Sequence, residues 1–172
     1  GGRCSDSGGT FHPRLHHLSS TGYLPNKLGT NIEKAAEIVR NGGLIAFPTD
    51  TVYGLGVDPR QPDAVRRLVA TKGRPEGKGL PILVANSETV TELVIPNPLI
   101  TRLALAFWPG ALTIVTGAQQ GLHPLLLGPG HTVGIRVPAS RMTRRLIRLA
   151  GSFLIGTSAN ISGQTAATNA RE

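Results

Sequence analysis

The sequence predicts an α/β domain with a mixed sheet flanked by helices. Three observations predict it. From Asn31 onward, segments with helical apolar spacing alternate with short apolar runs of strand length. Gly and Pro are plentiful, at 22 and 13 residues, so the elements must be short and joined by tight turns. Aromatic residues make up only 4% of the chain, so the core must come from Val, Leu, Ile and Ala.

The elements follow in order. Ile32, Ala35, Ala36, Ile38 and Val39 recur at helical spacing, and Asn41-Gly42-Gly43 supplies the stop. Leu44 to Phe47 reads as a buried strand ending at Pro48. Val52 to Val57 is short and Gly-rich, a turn followed by a second extended piece. Pro62 opens a helix with Val65, Leu68 and Val69 on one face. Leu80 to Val84 is the next strand, and Ser87 is expected to cap a short helix. A further helix runs from about Pro98 to Phe107 and stops at Trp108-Pro109-Gly110. Strands follow at Ala111 to Thr116 and at His131 to Val137. Ser140 is expected to cap a helix through Ala150. Its apolar residues are Met142, Leu146, Ile147 and Leu149, and its outer face carries Arg141, Arg144, Arg145 and Arg148. Gly151 ends it. Phe153 to Gly156 is the last strand and feeds a loop, Thr157-Ser158-Ala159-Asn160.

Residues 1–30 lack this regularity. They are rich in Gly, Ser, His and Thr, and are expected to be a flexible tail, a targeting remnant or a cloning remnant. Residues 31–172 are expected to form the domain. Asn169 and Glu172 have capping-box spacing, so a helix is expected to start there and the chain to continue.

The balance of 18 basic to 10 acidic residues, a formal charge of +8, suits polyanionic partners such as nucleotides or RNA, or simply a basic surface. With Cys4 as the only cysteine, a disulfide framework or a cysteine-based zinc site within the chain is excluded. No apolar run approaches the roughly 20 residues of a membrane span, so no membrane role and a cytoplasmic location are expected.

Common nucleotide and hydrolase motifs fail. Gly73 to Gly79 is one residue short of a P-loop and has Gly79 where a magnesium-binding Ser or Thr should stand. Gly54-Leu55-Gly56 has no third glycine for a dinucleotide fold. Gly156 to Asn160 is not a nucleophile elbow, because Asn160 replaces the last glycine.

Polar clusters at strand ends remain, where open α/β sheets bind ligands. Pro48 to Gly54 places Thr49, Asp50 and Thr51 directly after a strand, either as a binding group or as a turn closed by its own hydroxyls. Lys72 and Arg74, with Lys78 close by, can grip phosphates or cap the preceding helix. Arg136 lies in an otherwise apolar strand and needs an anion, either Asp50 or Glu76, or a substrate carboxylate. Thr157 to Gly163 offers short hydroxyl and amide groups to phosphate or ribose, or is a plain turn.

As a set these clusters resemble the YrdC-like family of threonylcarbamoyl-AMP synthases. The matching pieces begin with N-G-G-x-x-A-F-P-T-D-T-V-Y-G-L-G and the K-x-R pair. W-P-G-x-L-T, V-G-I-R-V-P and T-S-A-N-x-S-G complete the set, and the resemblance runs from about Ile32 to the end. It implies a twisted, open sheet with a concave basic cavity. It implies synthesis of L-threonylcarbamoyl-AMP from L-threonine, bicarbonate and ATP with release of pyrophosphate, and magnesium accompanying the triphosphate. By the same resemblance, Lys72 and Arg74 are catalytic and bind ATP together with Thr132, Ser158 and Asn160. Thr49, Arg136 and Gly156 are implied to bind threonine. Lys72→Ala or Arg74→Ala is then expected to leave the fold intact and to weaken turnover. The product would pass to a downstream tRNA threonylcarbamoyl transferase. The basic surface also fits tRNA or double-stranded RNA, so the alternatives are a double-stranded RNA-binding module or a carbamoyl-transfer domain of a larger enzyme.

Overall fold

The computed structural model describes residues 31–49, 52–73, 75 and 77–169. The expectations for residues 1–30, Asp50, Thr51, Arg74, Glu76 and Glu172 lie outside these described residues.

Helices form at α1 (Ile32–Arg40), α2 (Pro62–Lys72), α3 (Pro98–Phe107) and α4 (Arg141–Ala150). Strands form at β1 (Ile45–Pro48), β2 (Tyr53–Gly56), β3 (Ile82–Val84), β4 (Ile114–Gly117), β5 (Thr132–Arg136), β6 (Phe153–Ile155) and β7 (Thr157–Ser158). Short 3₁₀ turns span Glu88–Glu92 and Pro124–Leu126.

Local chemistry explains the helix boundaries. Asn31 accepts the Lys34 amide at 2.9 Å, and Ser140 accepts the Thr143 amide at 3.2 Å, so both first turns are capped by side chains. Gly151 closes α4 at φ 109, a left-handed conformation that an L side chain rarely adopts. At the 3₁₀ turn the expected cap is displaced by one residue. Asn86, not Ser87, accepts the amides of Glu88 and Thr89, because its longer side chain reaches both.

The strands divide into two sheets rather than one. A small antiparallel sheet has the order β1-β2-β7, and a larger mixed sheet has the order β4-β5-β3-β6. In the larger sheet β3 runs parallel to β5 and antiparallel to β6. Every residue of β3 and β6 is buried. Their continuous apolar runs reflect a sheet covered on both faces. Ile82, Val84, Phe153 and Ile155 join Val65 and Leu68 of α2 in one cluster. Leu83 and Leu154 turn the other way and join Ala36, Val39, Leu146 and Ile147 of α1 and α4. β1 alternates instead: Ile45 and Phe47 are buried while Ala46 is exposed, so it is half-buried rather than buried throughout.

One expected feature of α4 and one of the segment after β6 change in the structure. Met142 is 50% exposed, and Thr143 takes its place among the buried residues. Thr143, Leu146, Ile147 and Ala150 follow the i, i+3, i+4, i+7 pattern, so Thr143 occupies a core register. The segment expected to be a loop at Thr157-Ser158 is strand β7, paired with Gly54 and Leu55.

Helices α1 and α4 cover only the β3–β6 half of the larger sheet's second face. On β5, Val133 and Ile135 are buried in the first cluster, which turns Thr132, Gly134 and Arg136 to that second face. Beside them on β4, Val115 is 66% exposed. The β4–β5 half is therefore an open floor, and its inner end meets the small sheet.

Candidate functional site

The two sheets meet at Gly156, between β6 and β7. Its amide donates to the Pro81 carbonyl at 3.1 Å, and a Cβ built on it would lie 2.4 Å from the Leu83 side chain. The close approach of Leu83 is what requires glycine at this crossing. A cleft of ≈ 220 Å³ opens beside it. Its walls come from separate elements. Thr49, Val52, Tyr53 and Gly54 arrive from the β1–β2 hairpin, Leu83 from the middle of β3 and Arg136 from the end of β5. Pro138 and Thr143 arrive from the entry to α4, and Thr157 and Ser158 from β7.

Arg136 stands at the carboxyl end of β5, in parallel register with Leu83. Its Nε donates to the Gly110 carbonyl at 2.8 Å. The Gly110 amide in turn donates to the Val137 carbonyl at 2.9 Å, and the Trp108 indole donates to the Leu112 carbonyl at 2.7 Å. The Trp-Pro-Gly segment thus does more than stop α3. It docks on the end of β5 and holds Arg136, which lines the cleft, by its Nε.

Thr49 shows why a turn and a binding group need not be alternatives. Its hydroxyl accepts the Val52 amide at 3.3 Å and donates back to the Val52 carbonyl, closing the turn, and the same residue lines the cleft.

Lys72 is 2% exposed. Its ammonium donates to the carbonyls of Ser158 and Asn160 and to Asn160 Oδ1, the last two at 2.9 and 3.1 Å. These acceptors lie on the 158–160 segment, not on the carbonyls of α2, so the geometry differs from helix C-capping. A buried ammonium is tolerable only where each donor meets an oxygen, and here three are supplied. The Ser158 hydroxyl donates to Asn160 Oδ1 at 2.6 Å, and Asn160 Nδ2 donates to the Gln164 carbonyl at 2.6 Å. Lys72, Ser158 and Asn160, far apart in the chain, therefore form one hydrogen-bonded unit. Ser158 faces the cleft, while Asn160 lines a second hollow of ≈ 280 Å³ with Tyr53, Thr71 and Ala167.

Thr132 shares the open face of β5 with Arg136 but lies four residues away, about 13 Å at strand spacing. Its hydroxyl donates to the Pro129 carbonyl at 2.9 Å. The structure therefore places Thr132 at the far end of the floor and outside the cleft. Among the described residues Arg136 is the cation that lines the cleft; hydroxyls and apolar groups supply the rest of its walls. On α4, Arg145 pairs with Glu33, Arg144 donates to the carbonyls of Pro138 and Ala139 at 2.7 and 2.6 Å, and Arg141 and Arg148 are exposed.

Sequence reasoning gave no role to Gly110 or Thr143, and it offered Thr157 to phosphate or ribose from a loop, whereas Thr157 lies on a strand in the wall of this cleft. Thr143 had a signal: a hydroxyl in the core register of α4, where the periodicity calls for an apolar residue. Among the described residues no group of three or more His, Cys, Asp or Glu side chains is placed to hold a metal ion. No helix of the described residues is long and apolar enough to cross a membrane.

The fold and this cleft define a class: an open α/β domain with a cleft beside the carboxyl end of a central strand, the place where such sheets bind ligands. Comparison with known proteins makes the class specific. The family model Sua5_yciO_yrdC, described as "Telomere recombination", matches residues 37–172, and the chain belongs to that family. It is 38% identical over 155 residues to a threonylcarbamoyl-AMP synthase of Chromobacterium violaceum, covering 89% of this chain and 80% of that one. Among solved structures it is similar to Pyrococcus abyssi Sua5 complexed with L-threonine, with a TM-score of 0.76 and 39% identity. That match covers 81% of this chain, which spans 42% of the Pyrococcus protein. Escherichia coli YciO is similar at a TM-score of 0.69 and 27% identity, over 77% of this chain and 65% of that one.

Proposed function

We propose that this chain synthesises L-threonylcarbamoyl-AMP from L-threonine, bicarbonate and ATP, as a nucleotidyltransferase acting ahead of the threonylcarbamoyladenosine modification of tRNA. The observation that carries the reading is the cleft at the Gly156 crossing. It combines one oriented arginine with hydroxyls from three separate elements, in a fold shared with relatives named for this product.

In this reading the Arg136 fork holds the carboxylate of threonine, with Thr49 and Gly156 beside it. The amine of threonine takes up bicarbonate with loss of water, giving an N-carboxylate. That carboxylate oxygen attacks the α-phosphorus of ATP, the bond to the β-phosphate oxygen breaks, and pyrophosphate leaves. Arg136 and Thr132 share one face of β5, with Gly134 between them and Gly117 of β4 paired with Thr132. An adenylate laid along that face would run from threonine at Arg136 toward Thr132. Negative charge on the phosphates would be met by Arg74 and by the Ser158–Asn160 segment, with preorganised donors as the source of rate enhancement. Lys72 contributes by holding that segment, since its three donors already meet Ser158 and Asn160. Magnesium would travel with the triphosphate. A cytoplasmic setting and a downstream tRNA threonylcarbamoyl transferase follow from the same reading.

The test is pyrophosphate release from ATP and bicarbonate, with and without L-threonine, and with L-serine as the control. Release that requires L-threonine is the expected outcome. ATP turnover indifferent to any amino acid would overturn the proposal.

A further inference from the structure

The described residues include four buried polar or charged side chains: Asp58, Lys72, Thr143 and Thr157. Two are fully accounted for. Asp58 pairs with Arg60 at 2.9 Å, and Lys72 has the oxygens named above. Thr143 and Thr157, 4% and 8% exposed, have no hydrogen-bond partner for their hydroxyls among the described residues. Both line the same cleft. Of the four aliphatic hydroxyls in that cleft, Thr49 is engaged with Val52 and Ser158 with Asn160. The two that are left over are the two that are buried.

A buried hydroxyl without a partner destabilises a fold, and an isosteric valine would remove the defect. Both positions favour valine on local grounds as well. Thr143 sits in the apolar register of α4, and Thr157 sits in a strand. Keeping two such hydroxyls on one cleft, opposite an oriented arginine, makes sense if a ligand supplies their partners. That ligand must carry a group that both donates and accepts, which an alcohol does. Leu83 and Pro138 beside them offer apolar contact to a short alkyl group.

We propose that Thr143 and Thr157 are specificity-determining residues that bind the side-chain hydroxyl of a small β-hydroxy amino acid. This rests on the reading of the cleft as the threonine site and adds what selects threonine there. A site built to pair a substrate hydroxyl discriminates against the analogue that lacks it, because the protein groups are then left unpaired.

The test is calorimetric titration of the intact chain with L-threonine and with L-2-aminobutyrate, which lacks the hydroxyl, comparing wild type with T143V and T157V. Each variant should lose about tenfold in L-threonine affinity, the size of one hydrogen bond, with little change for L-2-aminobutyrate. The melting temperature should hold or rise, so binding and stability move in opposite directions, which a merely structural role would not produce. T143S, which keeps the hydroxyl, should retain wild-type affinity. If T143V fails to fold, T143S and T143A carry the comparison. Wild-type affinity and preference in both valine variants would overturn the assignment while leaving the threonine site standing. A wild-type chain that binds no L-threonine would overturn both.

Discussion

Lys72 carries its charge to a position 2% exposed, and the structure shows what makes that possible: three oxygens of the 158–160 segment around one ammonium. Its substitution should therefore be felt in the fold as well as in the chemistry. Lys72→Met keeps the volume but leaves those oxygens unmet, and should cost about 1–3 kcal/mol. Hydrogen exchange would show it as lost protection at the Ala159 and Asn160 amides, with threonine-dependent pyrophosphate release falling in parallel. Lys72→Ala adds a cavity at the end of α2, for a total of about 2–5 kcal/mol. This revises the expectation that the alanine variant leaves the fold intact, which took Lys72 as a phosphate-binding residue without a structural role. Arg136 is a different case. Arg136→Lys keeps the charge but loses the fork and the Nε bond to Gly110. The variant should fold normally and raise the KM for L-threonine about tenfold or more, read from steady-state pyrophosphate release. An unchanged KM would remove Arg136 from the threonine site.

At the scale of elements, the entry to α4 links stability to the cleft. Ser140 caps the helix, and the same turn brings Pro138 and Thr143 to the cleft wall. Ser140→Ala should cost about 1 kcal/mol, lowering the melting temperature by roughly 2–4 °C. It should weaken L-threonine binding as well, since fraying of that turn displaces Thr143. The exposed side of the same helix predicts the opposite. Replacing Arg141 and Arg148 with Glu should leave threonine-dependent pyrophosphate release unchanged, because neither residue lines the cleft. Loss of turnover in that double variant would mean that the basic face of α4 takes part in the reaction.

At the scale of the whole molecule, the cleft gathers residues from the hairpin after β1, the middle of β3, the end of β5, the start of α4, and β7. A ligand there ties both sheets together. L-threonine at about 100 times its Kd should stabilise the fold by about 2.7 kcal/mol, a rise of roughly 5–10 °C in melting temperature. L-2-aminobutyrate at equal concentration should give a smaller rise. The sequence by itself determined the element order, most of the boundaries and the polar clusters, because caps, glycine stops and apolar period are local properties. It placed Arg136 at a strand end and marked Thr49 and Ser158 in the same way. What it could not supply was the partners. Whether Lys72 points to solvent or into the protein depends on a segment 86 residues away. That the strands split into two sheets at Gly156 depends on where Leu83 packs. Only the tertiary structure decided that Trp-Pro-Gly orients Arg136 and that Thr143 and Thr157 face one cleft. Hydrogen-bond satisfaction and close packing are relations between distant residues, and no local pattern encodes them.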